Sequence, residues 1–215
     1  MKSRLLFDVP QYKKLRVIID TDAACEADDP FAIAQALMSP KLMVKGILAE
    51  HFAVEDSVKR SYDEVCTILD AMDMKEVPVF MGETGAKVAG YFENSVSEES
   101  VSPAAEFLIK EALREDTALL FVLCQGAITN VAVAIKKCPE ILNRMTIVWI
   151  GTHGLAEIPW REFNSGERCC CGKLRFGSCK KSLAHSFKCL CNNYRKSCRT
   201  PAESFTLRKN WPPSF

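Results

Sequence analysis

Apolar residues along the first 150 positions alternate between two spacings. Residues 15–21 (Leu-Arg-Val-Ile-Ile-Asp-Thr) are a short β-branched run that predicts a buried strand. Asp29 followed by Pro30 reads as a helix start, an acidic N-cap and then proline at the first helical position. Phe31, Ile33, Ala34, Leu37 and Met38 carry helical spacing up to Pro40. Residues 43–49 predict a second strand that runs into Glu50-His51-Phe52. Residues 56–72 predict a helix with Val58, Tyr62, Val65, Ile68, Leu69 and Met72 on one face. Residues 77–80 read as a short third strand, 103–115 as a helix, and 118–123 as a strong strand. Gln125-Gly126 make a turn, Ile128 to Lys137 is helical, and residues 145–150 form a fifth strand closed by Gly151. The stretch 81–102, with Gly82, Gly85 and Gly90 among serines and glutamates, predicts a long mobile loop over a site.

Regular alternation of strand and helix predicts an α/β fold: an open, mainly parallel, Rossmann-like sheet with helices on both faces. Such sheets bind ligands at the carboxyl ends of their strands. Asp20 and Asp22, Glu50 and His51, Gln125, and the loop after Gly151 all fall at that edge.

The first of these ends holds four aspartates, Asp20, Asp22, Asp28 and Asp29, within ten positions. Capping needs one carboxylate, and like charges raise each other's pKa, so four together point to solvent or to a cation. Oxygen-only donors select a hard cation such as calcium or magnesium. Asp20 and Asp22, two apart, share a face of an extended strand, and Asp28 and Asp29 open the next helix. His51 and His153 each follow a strand, His51 being the stronger candidate because it follows the second strand.

Charge and cysteine change the picture only near the C-terminus. Residues 1–166 hold 17 Lys+Arg and 25 Asp+Glu, whereas 167–215 hold 11 Lys+Arg with only Glu167 and Glu203. Seven of the 11 cysteines also lie in that last stretch, without strand or helix period. We therefore divide the chain into an α/β domain, 1–166, and a Cys- and base-rich tail, 167–215, expected to be poorly ordered. The spacings Cys169-Cys170-Cys171 and Cys189-Leu190-Cys191 lack the paired knuckles of structural zinc sites. Disulfides are not expected without a secretion signal, and charge alone is weak support for nucleic acid as a partner. The abrupt change after Asn164-Ser165-Gly166 is what a reading-frame shift would produce. No apolar run reaches the length of a membrane span, so no membrane association is expected and a cytoplasmic location is. Oligomeric state, a homo-oligomer included, is left open.

The Asp20-Thr21-Asp22…Asp28-Asp29 cluster directly after the first strand resembles the signature of the nucleoside hydrolases, the inosine–uridine-preferring N-ribohydrolase family. Five residues, Ala23 to Ala27, separate the pairs here, against three in the usual form, which resembles a bacterial and fungal-type variant; Cys25 stands where that variant tends to carry asparagine. Gln125-Gly126-Ala127-Ile128-Thr129-Asn130 resembles the family's turn into a helix, and Glu162-Phe163-Asn164 its substrate segment. The resemblance implies that Asp22 is a calcium ligand and the base for the attacking water. It makes Asp29 and the Gln125 carbonyl further ligands, gives Asp28, Glu162 and Asn164 to the ribose hydroxyls, and leaves Asp20 to support the site.

The implied function is hydrolysis of the N-glycosidic bond of purine or pyrimidine ribonucleosides, with Ca2+ as cofactor and a small-molecule ribonucleoside as partner. Carboxylates suit the oxocarbenium-like sugar of that reaction. The family's late calcium-binding aspartate has no counterpart, since no Asp follows Asp116. On the resemblance the domain is C-terminally incomplete, and an inactive chain is one expectation. Two other readings stand beside hydrolysis: a truncated, non-catalytic fragment that keeps weak ribose or metal binding, and a phosphatase of the haloacid-dehalogenase type. The latter also opens with strand-Asp-x-Asp but normally carries Thr or Val where Ala24 stands.

Overall fold

A computed structural model describes residues 9–52, 54–84, 101–150 and 164. Strands β1 (Leu15–Thr21), β2 (Leu42–Ala49), β3 (Val79–Met81), β4 (Leu120–Cys124) and β5 (Met145–Trp149) form one sheet in the order β3-β2-β1-β4-β5. Every pairing is parallel. The order reverses direction at β1, so the crevice between the carboxyl ends of β1 and β4 is the switch point where α/β sheets bind ligands. Helices α1 (Asp28–Met38), α2 (Ser57–Ala71), α3 (Pro103–Leu113) and α4 (Thr129–Lys137) connect the strands.

The strands alternate their side chains between two cores. Val17, Ile19 and Ile47 pack with Ile33 and Ala36 of α1 and Val65 and Leu69 of α2. Ile18, Leu48, Leu120, Val122 and Ile147 face the other way, onto Leu108 of α3 and Val131 and Ala134 of α4. This is the two-faced burial that reads as continuous apolar strand sequence. A register shift between Val17 and Ile18 leaves Lys45 as an extra residue in β2, a bulge.

The boundaries differ from the sequence expectation where a side chain or a proline intervenes. Pro78 has no N–H to give to a ladder, and β3 starts only at Val79, although the Pro78 carbonyl still accepts from Ile47 N at 3.0 Å. Asp116 Oδ1 accepts from Ala118 N at 2.9 Å and holds a turn there, so β4 starts at Leu120. Asp29 is not the N-cap of α1. The helix begins at Asp28 behind Ala27, which caps nothing, and the Asp29 carboxylate is taken by Thr21 instead. Gly82 and Glu83, expected in a mobile loop, belong to the packed structure, with Glu83 buried and its Oε1 accepting from Ser102 N at 2.7 Å. The remainder of that loop (85–100), His153, Glu162 and the tail 167–215 lie outside the described residues.

The opposite edge of the sheet is closed by a buried ion pair. Arg16 at the start of β1 donates to Glu111 Oε1 of α3 at 3.1 Å and to Ala118 O at 3.0 Å, and both charged side chains are 3% exposed. No helix among the described residues is long and apolar enough to cross a membrane.

Candidate active site

The alternation of β1 gives its last residues different neighbours. Asp20 follows Ile18 toward α4, where its Oδ1 accepts from Asn130 Nδ2 at 2.9 Å. Its Oδ2 is buried with no hydrogen-bond partner among the described residues. Thr21 follows Ile19 toward α1, where its Oγ1 donates to Asp29 Oδ1. Asp22, one residue past the strand, is 4% exposed and lies against the turn after β4. A Cβ at Gly126 would sit 2.5 Å from Asp22 Cγ, so only glycine leaves room for that carboxylate. The Gly126 carbonyl accepts from Trp149 Nε1 at 2.9 Å, which ties the turn to β5.

Glu50, at the end of β2, is fully buried. The N-cap of α4 is Ile128, whose side chain cannot cap. Glu50 does so from across the sheet: its Oε2 accepts from Asn130 N at 3.0 Å and its Oε1 from His51 N at 3.1 Å. A carboxylate at a helix N-terminus also meets the positive end of the helix dipole. The His51 ring is 3% exposed, with Nε2 2.8 Å from Thr129 Oγ1 and Nδ1 unpartnered among the described residues.

Burial sets the electrostatics. Desolvation raises the Asp20 pKa to about 7, with Asp22 adding repulsion and the Asn130 hydrogen bond opposing both. Glu50 is raised well above the usual range by burial and then by Asp20. Asp29 is raised too, by burial and by Asp28 and Glu26, against the hydrogen bond from Thr21. Burial lowers the pKa of His51, which holds its ring neutral at physiological pH. Anionic oxygens so short of solvent favour a cation or a proton, and a proton wins only where nothing better is supplied.

A family model for the inosine-uridine preferring nucleoside hydrolases matches residues 17–166. The chain belongs to this family. Three solved nucleoside hydrolases share the fold. A purine-preferring ribonucleoside hydrolase from Gardnerella vaginalis is 26% identical, with a TM-score of 0.52, over 71% of this chain and 54% of its own. An inosine-guanosine nucleoside hydrolase is 25% identical, with a TM-score of 0.52, over 73% and 53%. A plant nucleoside hydrolase, 22% identical with a TM-score of 0.54 over 70% and 52%, shows the same fold. Among curated proteins, an uncharacterised protein of Schizosaccharomyces pombe is 24% identical over 70% of this chain and 54% of its own. The chain thus spans about half the length of the relatives it matches.

Within this nucleoside hydrolase fold, Asp20, Asp22, Asp29, His51, Gln125 and Asn164 are gathered at the carboxyl edge that the sequence indicated. Asp28 is exposed in the first turn of α1, the most solvent-facing of the four aspartates. Asn164 Nδ2 donates to Gln125 O at 3.0 Å and to Ile150 O at 2.8 Å, joining the ends of β4 and β5.

The donor set fits a hard cation in kind. Asp22 and Asp29 offer carboxylates, Gln125 a carbonyl with a second lone pair, and the nearby Asp20 Oδ2 and Gln125 Oε1 are buried without partners among the described residues. In number the set is short, since no three His, Cys, Asp or Glu side chains among the described residues converge as a metal-holding group. Sequence reasoning gave no role to Glu50 or Gly126, and it named Asn130 only as part of a motif. The available signal was an acid ending a strand whose last four residues are apolar, a position that buries it.

Proposed function

We propose that this nucleoside hydrolase-family chain carries the site for cleaving the N-glycosidic bond of ribonucleosides, releasing ribose and a free base. The observation that carries the reading is the set of buried carboxylates Asp20, Asp22 and Glu50, with Asp29 beside them, at the switch point of a sheet in this family. Asp22 is the proposed base: its carboxylate is held against Gly126 at the end of β1, where it can accept a proton from water attacking the anomeric carbon. Asp28, exposed in the first turn of α1, would accept hydrogen bonds from ribose hydroxyls, a role that the resemblance extends to Glu162 and Asn164. His51, a buried neutral ring whose Nδ1 has no partner among the described residues, would donate to or accept from a polar substrate group.

Asp22, Asp29 and the Gln125 carbonyl would hold a divalent cation, Ca2+ by resemblance, which when bound lowers the pKa of water and orients it. The substrate is a small ribonucleoside. Two similar structures are named for purine or inosine-guanosine hydrolysis, so purine ribonucleosides head the panel to be tried.

A second reading has an observation behind it: no three His, Cys, Asp or Glu side chains among the described residues converge, which favours a protein that binds ribose or cation weakly and without turnover. Family membership sets the phosphatase reading aside. Reducing-sugar release from inosine, guanosine and uridine, with calcium titrated in, separates the two that remain. Release by the purified chain that is lost in Asp22→Asn supports hydrolysis. No release, with calcium bound, overturns hydrolysis in favour of binding alone.

A further inference from the structure

Asn130 is fully buried in the first turn of α4, and both side-chain polar atoms are engaged. Nδ2 donates to Asp20 Oδ1 at 2.9 Å and to Ala49 O at 3.2 Å. Oδ1 accepts from Glu83 N at 2.9 Å, and the Asn130 backbone N–H donates to Glu50 Oε2 at 3.0 Å. One residue therefore ties α4 to the carboxyl ends of β1 and β2 and to the segment leaving β3. The fit is close enough to dictate a neighbour: a Cβ at Gly82 would lie 2.3 Å from Ala49 O and 2.4 Å from Asn130 Oδ1.

A joint between strand ends needs no amide of this kind, because apolar packing does the same at less desolvation cost. What the amide adds is an asymmetry in Asp20. One of its oxygens is held, the other has no partner among the described residues, and the strand fixes Cβ. The carboxylate cannot turn about its own axis without giving up the Asn130 bond. We infer that Asn130 is a positioning residue of the active site: by holding Asp20 Oδ1, it presents Asp20 Oδ2 in one direction to the cation or polar substrate group bound beside Asp22. This rests on the cation reading given under the proposed function.

The test is a double-mutant cycle on the full chain with Asn130→Ala, Asp20→Asn and the pair, read as calcium affinity by titration calorimetry, with far-UV circular dichroism to confirm folding. Asn130→Ala should weaken calcium binding about tenfold, the usual consequence of losing a residue that orients a ligand. In the Asp20→Asn background the same change should cost less than about twofold, because the group it orients is already altered. If Asn130→Ala does not fold, Asn130→Ser, whose hydroxyl leaves a smaller unsatisfied set, runs the same cycle. Equal losses in the two backgrounds, or no loss with Asp20 present, overturn the positioning role and leave Asn130 a structural joint. No calcium binding by the unmutated chain overturns the cation reading itself, and this inference with it.

Discussion

Replacing Asp20 by Asn should make the cation-free chain more stable at neutral pH. Asp20 is fully buried, and its pKa stands raised from 3.8 to about 7, first through desolvation. A carboxyl group with a raised pKa keeps its proton in the folded state over a range in which the unfolded chain has lost it. The folded state then binds more protons, so stability falls as pH rises from about 4 to about 7 and is level above that. A shift of roughly three units corresponds to about 4 kcal/mol, the full penalty being present near pH 7.5. Asn keeps an acceptor for Asn130 Nδ2 and has no charge to desolvate, so that slope should disappear. Part of the pH dependence should remain, because burial also raises Glu50, whose loss of stability begins above its ordinary value of 4.5.

The assay is urea denaturation followed by far-UV circular dichroism from pH 4.5 to 7.5 in a chelating buffer. The variant should overtake the unmutated chain as pH rises. Added calcium should narrow the gap, by stabilising the chain that holds the charged carboxylate. Parallel pH profiles for the two chains, or a variant less stable at pH 7.5, would refute the reasoning.

Gly126→Ala sets a methyl group 2.5 Å from Asp22 Cγ, so ribose release and calcium affinity should fall more than about tenfold for a stability cost of roughly 1–3 kcal/mol, read by sugar assay, calorimetry and urea. Glu50→Ala strips the acceptor from Asn130 N and His51 N and leaves α4 uncapped, which should cost about 2 kcal/mol in urea denaturation. Arg16→Met leaves Glu111 buried with Arg114 as its remaining charged partner, and should lower stability by roughly 3 kcal/mol without changing calcium affinity. A change in calcium affinity there would show that the two edges of the sheet are coupled.

The local signals that carried the fold were the β-branched runs and helical spacings, and they survive because the central strand β1 is buried on both faces from Arg16 onward and β4 and β5 bury alternate residues. Boundaries moved where a group found a better partner than the local pattern foresaw. Asp29, placed beside Pro30 as a cap, instead accepts from Thr21 across the start of the site. The 120–124 strand starts late because Asp116 holds a turn through Ala118 N.

From the chain alone came the five strands of the described sheet, their parallel sense, and the four aspartates that follow the first of them. Those are consequences of short-range periodicity and of the order in which strands and helices follow one another. Tertiary structure alone decided which buried oxygens lack a partner among the described residues. Asp20 and Asn130 are 110 positions apart, Glu50 and Asn130 are 80 apart, and His51 and Thr129 are 78 apart. No local pattern encodes these pairings, because each depends on two strand ends and a helix start being packed together with water excluded. The same exclusion raises the pKa of Asp20 and Glu50, so the aspartates alone indicate a charged site, and burial determines how strongly that site demands a cation or a proton.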